Sequence, residues 1–177
     1  IRFRMFIDSH CHLDFPDLAK DLDVLLRNMQ ENQVTHALCV SVDLPNFPRV
    51  LALAEKHQNL FASVGIHPDY EDQREPSADE LAGLADHPKI IAIGETGLDY
   101  YRLQGDLEWQ RDRFRQHIRA AKKINKPLII HTRSAATDTL RIMQEEGAHE
   151  VGGVMHCFTE SWEVAEQAIA MNFYISF

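Results

Sequence analysis

Cysteine is scarce and odd in number: Cys11, Cys39 and Cys157 are the three, and no C-x-x-C pair joins them. That excludes a disulfide framework, and each thiol sits in an apolar run where it packs well, so the chain reads as reduced and cytoplasmic. Long hydrophobic runs are missing as well. None approaches the roughly 20 apolar residues of a membrane span, and the first apolar stretch is only about four residues long before Asp8 and His10, too short for a signal peptide. Basic residues are outnumbered, 18 Lys and Arg against 27 Asp and Glu, for a net charge of −9. This argues against a protein that holds nucleic acid by a broad basic face. It does not exclude chemistry on phosphates, because bound cations can supply positive charge locally. There is no G-x-G-x-x-G and no P-loop to support a nucleotide-binding open sheet. No Ser-His-Asp or Cys-His pairing stands at suitable strand ends, so a covalent nucleophile is not indicated. With no Gly/Ser linker or low-complexity tract to divide it, and with 45% apolar residues in 177, the chain is expected to form one domain over 1–177.

Short apolar runs alternate with helical patterns. Strands are expected at 5–8, 37–42, 61–65, 90–95, 128–131, 153–156 and 173–177, each continuous enough to be buried on both faces. Leu18, Leu22, Leu25 and Met29 mark one helical face, and Phe114, Ile118 and Ala121 another. Ser77 followed by Glu80 fits a capping box that opens a helix through Ala85, ended by Pro88. Seven strands with intervening helices imply parallel βαβ units.

Four of these runs stop on a residue that can bind a metal: Asp8-Ser9-His10-Cys11-His12, Ile93-Gly94-Glu95, Ile129-Ile130-His131 and Val154-Met155-His156. Alternate side chains of a strand share a face, so His10 and His12 point one way and Cys11 the other. If the strands lie side by side, four histidines and Glu95 converge at their C-terminal ends as a metal site. Ligands from strands one, four, five and six favour a (β/α)8 barrel, whose active residues come from many strand ends around a ring, over a doubly wound sheet with one switch point. His67 and Arg133 also follow strand ends and can contact a phosphate, Arg through its bidentate fork. Asp99, Tyr100 and Tyr101 fit either the mouth or a turn, and the two tyrosines can stack on bases. His36, His57, His87, His117 and His149 read as surface or packing residues. Cys157 is expected on the outer face, in the core.

The ordered set Ile7-Asp8-Ser9-His10-Cys11-His12-Leu13-Asp14, Val64-Gly65-Ile66-His67-Pro68, Ile93-Gly94-Glu95-Thr96-Gly97-Leu98-Asp99-Tyr100-Tyr101, Lys126-Pro127-Leu128-Ile129-Ile130-His131-Thr132-Arg133 and His156-Cys157-Phe158 closely resembles the TatD family of metal-dependent deoxyribonucleases, among the amidohydrolase-like TIM-barrel hydrolases. The resemblance implies a TIM barrel with a divalent metal centre that cleaves phosphodiester bonds of DNA, as strands or ends, by metal-activated water and exonucleolytically. It implies His10 and His12 as ligands of a first ion, Glu95 as a bridging carboxylate, and His131 and His156 as ligands of a second. It further implies an Asp ligand at the end of an eighth strand.

Neutral imidazoles and a carboxylate suit Zn, Mn, Ni or Mg without choosing between them. Two other readings stay open: a barrel hydrolase of the same metal chemistry acting on a small ester, amide or phosphoester, and a non-catalytic metal-binding fragment. A (β/α)8 barrel typically needs about 250 residues. The expectation is therefore an incomplete barrel of about seven strands, C-terminally truncated within the seventh, with residues 1–4 ahead of Met5 as upstream sequence.

Overall fold

A computed structural model describes residues 5–103 and 105–177. Residues 1–4, read above as upstream sequence, lie outside them. Seven parallel strands follow one another in the order of the chain: β1 Phe6–Cys11, β2 Val34–Cys39, β3 Leu60–Val64, β4 Ile90–Asp99, β5 Leu128–Arg133, β6 Gly153–Met155 and β7 Phe173–Ile175. Among the described residues seven helices connect them: α1 Pro16–Ala19, α2 Leu22–Glu31, α3 Phe47–Lys56, α4 Ala78–Ala85, α5 Glu108–Ile124, α6 Ala136–Glu145 and α7 Trp162–Ala170, with a 3-10 turn at Ala148–Glu150. A sheet whose strands keep sequence order while every crossover has the same hand is wrapped by its helices on one side and curls around the other. The result is a curled half-barrel.

Two apolar clusters record the two faces. The larger lies between strands and helices and includes Cys39, Val64, Ile93, Leu98, Phe114, Ile118, Leu128, Ile130 and Met155. The smaller, Val40, Ala92 and Ile129 with Leu38 and Val154 against them, lines the inside of the curl. In β5, Ile129 and His131 therefore share the inner face while Leu128 and Ile130 face the helices. In β4 the ladder to β5 is irregular between Ile93 and Thr96. That irregularity shifts the alternation, so that Glu95, three residues from inward-facing Ala92, also faces inward.

Helix α5 buries Phe114, Ile118 and Ala121 as its apolar spacing requires. Helix α4 starts where the capping box predicts: the Ser77 hydroxyl accepts the Glu80 N–H at 3.2 Å. Glu80 does not reach back to complete the box; it pairs with Arg74. The face marked by Leu18, Leu22, Leu25 and Met29 is broken at Lys20 and Asp21 into α1 and α2, which leaves Leu18 exposed. Strand β1 departs from expectation too. It is an edge of the sheet among the described residues, so Phe6 and Ile7 are exposed, Ile7 at 69%.

Candidate metal centre

The C-terminal halves of β1, β4 and β5 and the residue after β6 deliver their side chains to one cavity of about 580 Å³, lined by His10, His12, Glu95, His131 and His156 together with His67; β4 and β5 run on past Glu95 and His131, the expected strand ends. Glu95, 4% exposed, is the hub. Its Oε2 lies 3.3 Å from His10 Nε2, and its Oε1 lies 3.3 Å from His131 Nδ1 and 3.8 Å from His67 Nε2. Two groups have ligand atoms close enough to share an ion, His10 with His12 and Glu95, and His67 with Glu95 and His131. His156 sits beside them with its ring stacked on His10, centroids 3.4 Å apart and planes 7° apart. On a flat sheet β1 and β6 would stand roughly 24 Å apart, five spacings of about 4.8 Å. Only the curl brings these rings together.

Hydrogen bonds fix which nitrogen each ring presents. A carbonyl oxygen only accepts, so the 3.0 Å contact of His12 Nδ1 with Val40 O places the proton on Nδ1 and leaves Nε2 as a bare donor atom. His131 Nε2 donates to Asp99 Oδ2 at 2.9 Å, which turns the lone pair of Nδ1 toward Glu95. Such outer hydrogen bonds orient metal-binding histidines and raise their basicity. His67 is the reverse case. Its Nδ1 accepts the Asp69 N–H at 3.2 Å, so in the neutral ring the proton sits on Nε2 and points at Glu95. In this tautomer His67 presents an N–H, not a lone pair, to Glu95.

The electrostatics follow from burial and neighbours. Burial pushes the Glu95 carboxyl up, but the approach of the His10, His131 and His67 rings outweighs it and holds it well below the usual carboxylate range. Burial and the adjacent His10 pull His156 down to about 4, and burial likewise lowers His12 and His67. Burial opposes protonation of His131 too, yet the Glu95 and Asp99 carboxylates raise it. The neutral imidazoles of His12 and His156 beside an ionised carboxylate form a donor set suited to a divalent cation. Both ring nitrogens of His10 are buried without a hydrogen-bond partner, a cost an ion would remove. The residues fit a metal.

Glycine admits this geometry at one position above all. Gly97 pairs with His131 across β4 and β5 with φ +137°, and a Cβ there would overlap the His131 carbonyl oxygen. The strands close up at the level of the site because Gly97 has no side chain.

Other expected site residues are placed differently. Arg133 does not line the cavity; its guanidinium lies 3.8 Å from the centre of the Tyr101 ring. Tyr100 donates its hydroxyl to Asp138 and accepts from Arg111, and Tyr101 is exposed. Neither tyrosine lines the cavity. Its aromatic lining comes from Phe15 and Tyr70, and its arginine is Arg102. Cys157 is exposed and lines the cavity instead of packing in the core. Strand β6 ends at Met155, and a left-handed backbone at Cys157, φ 47°, turns the thiol to the mouth. Sequence reasoning left the role of Asp99 open. The signal was present, since Asp99 follows Glu95 at i+4 in one strand.

A buried carboxylate between histidines at the mouth of a curled parallel sheet defines the class of metal-dependent barrel hydrolases. Within it, the family described as TatD related DNase matches residues 7–177, and the chain belongs to that family. It is 39% identical over 174 residues to YabD of Bacillus subtilis, an uncharacterized metal-dependent hydrolase, covering 98% of this chain and 68% of the relative. It is 40% identical over 175 residues to YcfH of Escherichia coli K12, likewise an uncharacterized metal-dependent hydrolase, covering 97% and 65%. Among solved structures, YjjV, a TatD homologue from Escherichia coli K12, superposes with a TM-score of 0.86 at 32% identity, over 96% of this chain and 66% of that one. A TatD family hydrolase from Entamoeba histolytica gives 0.85 at 30%, over 97% and 64%. The chain thus spans about two thirds of the length of these relatives.

Proposed function

We propose that the protein hydrolyses phosphodiester bonds of DNA at a divalent metal centre, working inward from strand ends. The observation that carries this reading is Glu95, buried between two sets of imidazoles, with neither ring nitrogen of His10 hydrogen-bonded. His10, His12 and Glu95 would hold one ion, and Glu95 with His131 and His156 a second. Such ions would supply Lewis acidity and lower the pKa of water, so that an acidic protein could process an anionic polymer.

The chain's own groups do the rest. Asp99 keeps the His131 proton on Nε2, which reserves Nδ1 for the centre. His67, neutral and with Nε2–H directed inward, donates a hydrogen bond to a phosphoryl oxygen. Arg133 stands two residues past His131, outside the cavity and stacked on Tyr101, and would offer its fork to a phosphate lying beyond the cavity. A cavity at the mouth of a curled sheet admits the end of a single strand more readily than a stacked duplex.

The test is incubation of metal-reconstituted protein with single-stranded DNA, duplex DNA and panels of small esters and amides. DNA should be degraded, single strands faster, and a chelator should abolish the reaction. His131→Ala should lower the rate at least about 100-fold, because losing a ligand costs no less than losing the outer hydrogen bond that orients it. Turnover of a small ester or amide far above that of DNA would replace this reading with the small-substrate one.

A further inference from the structure

The metal cavity does not end at the metal-binding residues. Phe15, Val42 and Tyr70 line it and also line a second cavity of about 360 Å³, which continues past Pro16, Val50, Asn46 and the Asp43 carboxylate that Asn46 holds, to Arg49 and Asp14. The two spaces share a wall that is aromatic and apolar, and each contains an arginine, Arg102 in the first and Arg49 in the second.

Three details suit this wall to a flat ring. Phe15 packs one face on His12, centroids 4.7 Å apart and nearly parallel, yet remains 38% exposed. Supporting His12 uses only that face. The Tyr70 hydroxyl makes no hydrogen bond among the described residues, although the ring is half-buried beside the site. Arg49 donates from Nη2 alone to Asp14 Oδ2, at 3.2 Å. Asp14 is almost wholly buried and pins the guanidinium, while the arginine side chain is 49% exposed and its other N–H groups stay open.

From the metal-binding residues outward the order is therefore a phosphate-binding centre, an aromatic wall, and a tethered cation. A nucleic acid strand has the same order: phosphate, base, next phosphate. A small phosphoester would need only the first cavity. We propose that Phe15 and Tyr70 form the base platform for the nucleotide next to the cleaved phosphate, and that Arg49 binds the phosphate beyond it. This rests on the DNA-hydrolase reading and names the residues that make the substrate an oligonucleotide. Base–aromatic stacking accepts any base, so little sequence preference is expected.

The experiment uses single-stranded DNA of fixed length in which one base at a time, counted from the end, is replaced by an abasic tetrahydrofuran. With wild-type protein, one abasic position should lower kcat/KM by about tenfold, within the range of a lost base–aromatic stack, mainly through KM. Phe15→Ala and Tyr70→Ala should bring the ratio of base-bearing to abasic rates at that position toward one, and Arg49→Gln should remove the advantage of a trinucleotide over a dinucleotide. The same ordering should appear in calorimetric binding of a deoxytrinucleotide to metal-free protein in chelator. The abasic scan on wild type decides the matter even if a variant fails to fold. Cleavage indifferent to every abasic position would overturn the base platform and leave the DNA reading standing. Absence of cleavage of any DNA alongside turnover of a small ester would remove both.

Discussion

His117 is the residue whose chemistry is most constrained. It is fully buried in α5; its Nε2 accepts the Ile66 N–H at 3.0 Å and its Nδ1–H donates to Arg113 O at 2.8 Å. Those two bonds require the neutral ring and fix the backbone one residue before His67. Burial accordingly holds the imidazole down, from 6.5 to about 4. Because the unfolded chain binds this proton more readily, the stabilisation is complete above about pH 6.5 and is lost as pH falls toward 4, by about 3 kcal/mol in all. Chemical unfolding at a series of pH values should show wild type losing more than His117→Gln across that window; parallel curves would exclude a buried neutral His117. Asp99 calls for a different measurement. Asp99→Asn weakens the acceptor that orients His131, so metal affinity should drop roughly 10–100-fold in a chelator competition. Unchanged affinity would assign the orientation of His131 to the β5 backbone alone.

Among the elements, β4 carries the most function. Its irregular step turns Glu95 inward, its Gly97 lets β5 approach, and its last residue holds His131. Gly97→Ala should destabilise the protein by at least about 1 kcal/mol and weaken metal binding, because alanine tolerates neither the φ nor the neighbouring carbonyl. Gly83, in α4 with open space where a Cβ would go, provides the control: Gly83→Ala should stabilise by about 0.5–1 kcal/mol in the same unfolding assay. A neutral Gly97→Ala would show that β4 and β5 can separate without harm. The strands themselves were legible as short continuous apolar runs leading to His10, Glu95, His131 and His156, the pattern of strands buried on both faces. What alternation could not show was the step in β4, the tautomers set by Val40 O and Asp99, or the turn that exposes Cys157. Those depend on partners distant in sequence. Phe15 and Tyr70 escaped notice for a related reason: they stand in loops, where no periodicity says which way a ring faces.

For the whole molecule, the contact between His10 and His156 matters most. It joins the first strand of the sheet to the end of the sixth, so ions sharing Glu95, one held by His10 and the other by His156, would fasten parts of the sheet that no ladder hydrogen bond connects among the described residues. Binding to the folded state alone adds about 2.7 kcal/mol at a hundred times Kd. For a chain of this size that is an increase in Tm of roughly 5–10 °C. Scanning calorimetry against buffered free ion should show it, and a Tm indifferent to saturating ion would mean the curl holds without a clasp. Under this linkage the fold is an ion gauge. Scarcity of the metal would not leave a stock of idle enzyme awaiting its cofactor; it would shorten the polypeptide's lifetime, and the cell would register starvation as missing protein.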